Sequence, residues 1–180
     1  MAIEIAGRYS LIVIPVAACF LSGCATGPID LSGRTEEEPP PLATGIEVAE
    51  VETASQLVAG WHDLEQNTWR WTAVKFAVQL RPPVESQKRG AALEFRFTLP
   101  DVEISKRKAV TLFASVRGTQ LAPQTYRAAG DKLYTRDVPA ALLSGHSVRI
   151  DFTVDRPFVP GSGDLRELGV IGRSVRLELK

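Results

Sequence analysis

The chain has few of the residues that most often build catalytic and metal sites. Its 180 residues include two cysteines and two histidines, His62 and His146. Zinc sites need three or four suitable ligands at close spacing, which two isolated histidines do not supply. The sequence has no Gly-x-Ser-x-Gly elbow and no glycine-rich loop that opens a helix, which argues against a serine hydrolase and a common phosphate cradle. We therefore expect a protein that is not an enzyme and needs no cofactor or metal.

The chain also lacks an excess of charge of either sign. Lysine and arginine total 21, aspartate and glutamate total 21, and the formal net charge is zero. Without a net positive field the protein is not steered towards polyanions, so we expect no nucleic-acid partner. A composition of 44% hydrophobic and 23% charged residues is typical of a globular protein. The length fits one domain with appendages.

Long apolar runs are equally scarce. The clearest one, LIVIPVAACFL at residues 11–21, follows Arg8. It is too short for a bilayer core of about 30 Å, which takes about 20 residues, but it has the length of a signal-peptide core. Residues 21–24, Leu-Ser-Gly-Cys, resemble the lipobox of bacterial lipoproteins, whose cysteine becomes the acylated first residue after cleavage. The resemblance implies a signal peptide at residues 1–23 and lipidation, with palmitate as an expected acyl group, at Cys24.

The lipobox resemblance also implies a location. Cys19 lies in the segment that would be removed, so Cys24 would remain alone and no disulfide would staple the domain. Two acyl chains on the sulfur-bound lipid anchor a protein stably in a membrane. Ala25 follows the cysteine, and in lipoproteins the absence of aspartate there favours the periplasmic side of the outer membrane. The alternative is that Cys19 and Cys24 are a disulfide pair or ordinary residues of a secretory signal.

Residues 24–54 are expected to form a lipidated N-terminus and flexible tether. Three glutamates and three prolines lie in its middle, and apolar periodicity is poor. The proline run stiffens the chain towards polyproline II, while the glutamates resist collapse. Residues 46–58 are compatible with either a short helix or a first strand. The remaining residues, 55–180, are predicted to form the folded domain.

The domain shows apolar residues at every second position. This alternation covers residues 74–80, 93–99, 110–116, 148–154 and 175–179, and it is typical of half-buried strands. Glycine, proline and polar clusters separate the segments, and Gly118 indicates a hairpin turn. Helix signals are nearly absent from residue 69 onward. The pattern predicts an all-β fold, a single β-sandwich or jelly roll.

Two stretches carry a resemblance to a known domain type. GWHDLEQNTWRWT at residues 60–72 and PFVPGSGDLRELGVIGRSVRLEL at residues 157–179 resemble the two ends of a bacterial jelly-roll domain of the galactose-binding-like type. Such domains occur in envelope proteins and beside glycosyltransferase modules. The resemblance implies a non-catalytic, carbohydrate-associated domain, and it transfers no defined binding residues.

The aromatic residues of the first stretch are candidate ligand contacts. Trp69 and Trp71 are two positions apart and share a face of a strand, and Trp61 and His62 lie just before them. An exposed indole can stack on the apolar face of a sugar ring while nearby polar groups bind its hydroxyls. The alternative is that the large rings fill the space between the sheets.

Asp164 and Arg166 in the second stretch are further candidates for ligand binding. At positions i and i+2 they also suit a simpler role, in which an ion pair and hydrogen bonds order the loop. A structural calcium at Asp164 is another alternative, although such sites usually need several oxygen ligands.

These features leave two functions open. The first is a lipid-anchored envelope protein whose sandwich is an interaction or assembly subunit. It would bind another envelope protein through a sheet face or edge strand. The alternative is a module that binds carbohydrate, specifically an envelope polysaccharide. In both cases the expected partners include the membrane, through the acyl chains on Cys24.

Overall fold

The computed structural model describes residues 41–161 and 163–180. The predicted signal peptide, Cys24 and most of the predicted tether lie outside these residues. The described part contains two short α-helices, α1 (Ser86–Arg89) and α2 (Asp101–Arg107), and two 3₁₀ helices, Ala54–Gln56 and Ala140–Leu142. None of these helices is long and apolar enough to cross a bilayer. Its strands are β1 (Gly45–Glu47), β2 (Ala59–Glu65), β3 (Trp69–Leu80), β4 (Ala91–Leu99), β5 (Val110–Val116), β6 (Thr119–Gln120), β7 (Gln124–Tyr126), β8 (Gly130–Val138), β9 (Val148–Val154) and β10 (Ile171–Leu179).

The strands form one curled antiparallel sheet in the order β6-β5-β9-β3-β10-β4-β8. Strands β1, β2 and β7 pair beside this path with β10, β3 and β5. The 12-residue β3 belongs to both layers, because its first part pairs with β10 and its last part with β9. The last part of β3 joins β5 and β9 in one layer, and β4, β8 and β10 form the other. The predicted all-β sandwich is confirmed.

Aromatic side chains from both layers meet in the core. The rings of Phe76, Phe95 and Phe152 lie with centroids 5.0 to 5.5 Å apart and are almost fully buried. Each such pair contributes about 0.5–1.5 kcal/mol beyond the apolar area that it buries. All five predicted strand segments are strands, and their alternate residues fill this core. The even spacing of apolar residues therefore predicted which side of each strand faces inward.

The folded region begins earlier than the predicted boundary at residue 55. Strand β1 lies inside the predicted tether and pairs with β10, with Ile46 only 2% exposed. The buried Gln56 side chain reinforces this attachment. Its amide accepts a hydrogen bond from the Ala43 N–H (2.9 Å) and donates to the carbonyls of Ala43 (3.2 Å) and Gln79 (2.8 Å). Strand β1 has a weak sequence pattern, but its backbone groups find hydrogen-bond partners on β10.

Two local predictions have different outcomes. The hairpin at Gly118 is confirmed: Arg117 and Gly118 link β5 to β6 with φ of 49° and 81°, as a two-residue turn with positive φ requires. Helix α2, by contrast, lies between two predicted strands, in the region where helix signals are nearly absent from the sequence. Its first turn is acidic and its last turn basic, which suits the helix dipole.

Candidate functional site

The outer face of the β3, β5 and β9 layer carries an open groove of about 490 Å³. Phe113 lies in this groove with 37% of its surface exposed. The groove is also lined by Ser115, Gln120, Asp151 and Thr153. An aromatic ring on a solvent-facing strand position, with polar groups around it, makes this surface the leading candidate for ligand binding.

Strand register brings these side chains together. Phe113 lies opposite Thr153, which lies opposite Lys75 on the next strand. Ser115 lies opposite Asp151 on one side and Gln120 on the other. Residues paired in this way project from the same face of the sheet. We call this surface the Phe113 face, consisting of Lys75, Phe113, Ser115, Gln120, Asp151 and Thr153.

A second depression continues the Phe113 face across β9 and β3. It has a volume of about 200 Å³, and Lys75, Arg149, Asp151 and Thr153 contribute to its lining. Oδ1 of Asp151 accepts a hydrogen bond from Nε of Arg149 at 2.8 Å. Oδ2 has no hydrogen-bond partner among residues 41–161 and 163–180. The face thus offers a carboxylate oxygen, hydroxyls, an amide and a cation around one aromatic ring.

Phe113 was not among the candidates from the sequence, although a signal for it exists. It lies between Leu112 and Ala114, which belong to the buried side of an alternating strand. An alternating strand places the intervening residue in solvent. A large aromatic residue at such a position is unusual enough to mark a surface for attention.

Two of the predicted tryptophans have packing roles. The Trp61 indole N–H donates to the Ala77 carbonyl at 3.0 Å, and its ring meets Phe76 edge-on at a centroid distance of 5.3 Å. Trp71 is 9% exposed and stacks on Phe158 at 6.0 Å in a small second core cluster. These placements favour the packing alternative, because contacts within the protein already occupy the ring faces or edges.

Trp69 has a different environment. It is half-buried, and the guanidinium carbon of Arg173 lies 5.9 Å from the centre of its ring. This distance is within the range of a cation–π contact. Trp69 therefore supports the position of an arginine on the outer face of the other layer.

The structure brings Asp164 and Arg166 together with Glu65. Arg166 Nη2 donates to Asp164 Oδ2 at 2.8 Å, and Nη1 donates to Glu65 Oε1 at 3.0 Å. The Arg166 backbone N–H also donates to Asp164 Oδ1 at 3.0 Å. These side-chain and backbone hydrogen bonds lower the pKa of Asp164 to about 2, and the neighbouring His62 adds a smaller electrostatic effect. The arrangement favours the loop-ordering alternative, because Arg166 is already paired with two carboxylates.

The calcium alternative depends on the Asp164 carboxylate. Arg166 already binds the Asp164 carboxylate. Within the described ranges, no group of three or more histidine, cysteine, aspartate or glutamate side chains is placed to hold a metal ion. The loop around Asp164 is held by ion pairs.

A buried charged network was missed by the sequence interpretation. Glu103 Oε1 accepts a hydrogen bond from Arg107 at 2.6 Å, and Arg107 also donates to Asp155 at 2.9 Å. Arg107 additionally donates to the carbonyl of Gly169 at 3.4 Å. Burial raises the pKa of Glu103 to about 7, although Arg107 opposes the effect. The network attaches α2 to the segment before β10. The i, i+4 spacing of Glu103 and Arg107 was the available sequence signal.

No family model matches the chain, and no curated protein sequence matches it either. Among solved structures, the chain is similar to TmCBM27, a carbohydrate-binding module studied for specific mannan recognition. The two sequences are 14% identical, and the superposition has a TM-score of 0.43. It covers 77% of this chain and 97% of the TmCBM27 chain. A second similar structure is the M60 catalytic domain with the CBM51-1 and CBM51-2 domains from Clostridium perfringens ZmpB. The identity is 15% and the TM-score is 0.35, with 69% of this chain and 12% of the ZmpB chain covered. A third similar structure is the acetyl xylan esterase Est2A from Butyrivibrio proteoclasticus. The identity is 9% and the TM-score is 0.43, with 77% of this chain and 34% of the esterase chain covered. The similarity to all three structures is a similarity of fold.

Proposed function

We propose that this protein is a non-catalytic carbohydrate-binding domain, held at the cell envelope by a lipid anchor at Cys24, and that its glycan binds on the Phe113 face. One observation carries the proposal. The exposed ring of Phe113 lies on the same sheet face as Ser115, Gln120 and Asp151, in a groove of about 490 Å³. This combination provides both an apolar platform and hydrogen-bonding groups for a sugar.

Sugar recognition needs both kinds of contact. One face of a pyranose ring is rich in C–H groups and stacks on an aromatic ring, while the hydroxyls at its edge need hydrogen-bond partners. The Ser115 hydroxyl, the Gln120 amide and the Asp151 carboxylate supply such partners beside Phe113. Their backbones belong to paired strands, so binding requires little ordering of the protein.

The extent of the Phe113 face suits a polysaccharide chain. Its two depressions share Asp151 and Thr153 and run from β5 across β9 to β3. Neighbouring strands are about 4.8 Å apart, so Phe113 and Lys75 are separated by roughly 10 Å along this direction. More than one sugar ring fits this length.

The same face favours binding without cleavage. Most glycoside hydrolases use two carboxyl groups that flank the scissile bond. The Phe113 face contains one carboxylate, Asp151, and Arg149 already binds one of its oxygens. A bound glycan would therefore meet hydrogen-bonding groups without the usual acid–base pair.

The assembly-subunit alternative has weaker support. Docking on a protein partner usually uses a contiguous apolar patch. The most exposed large apolar side chains lie on separate elements: Val84 precedes α1, Leu165 lies in the loop before β10, and Val51 follows β1. This distribution favours the carbohydrate-binding alternative over the assembly-subunit interpretation.

A glycan panel tests the proposal. The full chain in detergent micelles is titrated with neutral bacterial polysaccharides, and binding is followed by affinity electrophoresis. Phe113→Ala should weaken binding about tenfold or more, because a buried aromatic side chain contributes at least about 1.5 kcal/mol. Leu165→Ala, which removes an apolar side chain that is 83% exposed elsewhere, is the matched control. The proposal is rejected if no glycan binds or if both variants bind like the wild type.

The anchor is tested separately. Cys24 lies outside the described residues, and its lipidation is proposed from the lipobox resemblance. Cys24→Ser should abolish labelling with a palmitate analogue and release the protein from the membrane fraction. Cys19→Ser is the matched control and should retain both properties. Unchanged palmitate labelling of Cys24→Ser would exclude lipid anchoring at this residue.

A further inference from the structure

A second groove lies on the outer face of the other layer, formed by β4, β8 and β10. It has a volume of about 400 Å³ and is lined by Arg96, Phe97, Asp131, Lys132, Leu133 and Arg173. We call it the basic groove. Three of its six lining residues carry positive charge and one carries negative charge, although the whole chain is formally neutral. Positive charge is therefore concentrated here.

The register of β4 and β8 builds one wall of the basic groove. Arg96 lies directly opposite Leu133, and Thr98 lies opposite Asp131. The flanking residue Phe95 is fully buried, so the alternation of the strand directs Arg96 to the solvent side. Leu133 is 40% exposed and supplies an apolar surface beside the Arg96 guanidinium.

A bulge in β10 adds Arg173 to the basic groove. Gly172 pairs with Phe97 and Ser174 pairs with Arg96, so Arg173 is the extra residue between two consecutive positions of β4. Bulges of this kind redirect a side chain and often occur beside functional sites. The Arg173 Nε donates to the Thr98 hydroxyl at 3.2 Å. The position of Arg173 is thus fixed by both backbone geometry and a polar contact.

One further direct contact and one indirect interaction hold the Arg173 guanidinium in place. Its carbon lies 5.9 Å from the centre of the Trp69 ring. The Thr98 hydroxyl that accepts from Arg173 also donates to Asp131 Oδ1 at 2.6 Å. Asp131 is therefore engaged with Thr98, and it orients Arg173 indirectly. A guanidinium fixed in this manner loses little side-chain freedom when it binds an anion.

The cations of the basic groove retain donors for a ligand. Within the described ranges, the terminal nitrogens of Arg173 make no hydrogen bond. Arg96 has a side chain that is 56% exposed, and its contact with Glu94 is long, at 3.8 Å.

We propose that the basic groove is a second glycan site, selective for sugars that carry a carboxylate. Arginine forks bind carboxylates with two parallel hydrogen bonds, which Arg173 and Arg96 can supply. Leu133 provides an apolar surface for the C–H face of the same sugar ring. This proposal stands on residues that the Phe113 face does not share, so either site can fail in experiments without the other.

A pair of matched ligands tests the charge requirement. The full chain in detergent micelles is titrated with polygalacturonate and with its methyl-esterified form, which has the same sugars without the charge. Binding to polygalacturonate should be at least about tenfold tighter and should weaken as salt is raised from low to physiological concentration. Equal binding of the two polymers would overturn the proposal.

Single substitutions in the basic groove test whether polygalacturonate binds there. Arg173→Gln and Arg96→Gln should each weaken polygalacturonate binding about tenfold or more, since each removes a charge-assisted contact. Arg89→Gln is the matched control, because this exposed arginine lies on α1, roughly 20 Å along the chain direction of β4 from Arg96. Thermal unfolding of each variant verifies that it is folded. Unchanged binding in both groove variants would overturn the proposal.

Two further arms distinguish the basic groove from the Phe113 face and from a lipid-binding surface. Phe113→Ala should leave polygalacturonate binding unchanged, and loss of binding in that variant would place the acidic polymer on the Phe113 face. Vesicles of phosphatidylglycerol distinguish a lipid headgroup from a glycan. The proposal is overturned if Arg173→Gln weakens vesicle binding and the wild type does not bind polygalacturonate.

Discussion

The buried carboxyl of Glu103 should make the protein less stable as pH rises. Glu103 is fully buried, and its arginine partner Arg107 is shared with Asp155. One cation therefore faces two carboxylates, and the more deeply buried one favours its protonated form. Burial raises the pKa of Glu103 from 4.5 to about 7. The folded protein then keeps a proton that the unfolded chain releases as pH rises through this interval.

The free energy of unfolding should decrease between about pH 4.5 and pH 7, because the folded state binds more protons there than the unfolded state. At about 1.4 kcal/mol per unit of pKa, the full change is about 3 kcal/mol. Asp164 affects stability in a separate, more acidic pH interval, because its pKa is lowered from 3.8 to about 2. Its ionised form favours folding above about pH 4, and this contribution is lost as pH falls from there towards 2.

Urea unfolding followed by tryptophan fluorescence measures this effect. The wild type and Glu103→Gln are compared at pH 4.5, 5.5, 6.5 and 7.5. Glutamine keeps the shape of the protonated side chain without titrating, so the variant should lose most of the pH dependence and be at least as stable as the wild type at pH 7.5. Glu178→Gln, at a carboxylate that is 53% exposed, is the matched control and should retain the wild-type profile.

Contributions from groups that both proteins share cancel in the difference between wild type and Glu103→Gln. A wild-type stability that increases steadily from pH 4.5 to 7.5, or an equal pH dependence in wild type and Glu103→Gln, would refute the reasoning. Either result would mean that Arg107 keeps Glu103 ionised in the folded protein.

Three substitutions test the packing. Gln56→Ala leaves backbone groups of the N-terminal segment and β3 without partners and should lower the free energy of unfolding by about 3 kcal/mol, with protection of β1 lost in hydrogen exchange. Gly172→Ala places a Cβ 2.5 Å from the Trp61 ring and should cost about 1–3 kcal/mol in urea unfolding. Trp71→Ala removes the ring that stacks on Phe158 and should cost about 3–5 kcal/mol without changing the glycan affinity of the folded protein. Changes below about 0.5 kcal/mol, the usual size for surface substitutions, would contradict these roles.

The strands were predictable because burial on one side leaves a local signature. In β5, the residues Val110, Leu112, Ala114 and Val116 are all buried at 1% exposure or less. The alternation of apolar side chains therefore specified both the strand and its inward face. Gly118 marked a turn for an equally local reason, since a positive φ suits glycine.

Elements held by distant partners were harder to predict. Strand β1 has three residues, and its stability depends on pairing with β10 about 130 positions later in the sequence and on the amide of Gln56. Helix α2 has seven residues and depends on the buried Arg107, which reaches Asp155 and Gly169. Short segments give too few residues for a periodic pattern, so tertiary contacts determine their structure.

The candidate sites also combine features that have a local sequence signal with features that depend on partners far away in the sequence. The sequence identified the tryptophans as important, but it did not distinguish a ring that packs from one that contacts ligand. Trp71 meets Phe158 across 87 residues, and Phe113 gains Asp151 as a neighbour only through the pairing of β5 and β9. Similarly, Arg173 reaches the basic groove through a bulge that no local pattern indicated.

Calorimetric titration at Phe113 tests the central claim most directly. The neutral glycan that binds best in the panel is titrated into the full chain and into its Phe113→Ala and Phe113→Trp variants. The account predicts that the tryptophan variant binds at least as tightly as the wild type, and that the alanine variant binds about tenfold more weakly or worse. Equal affinities for all three proteins would contradict the assignment of the glycan to the Phe113 face.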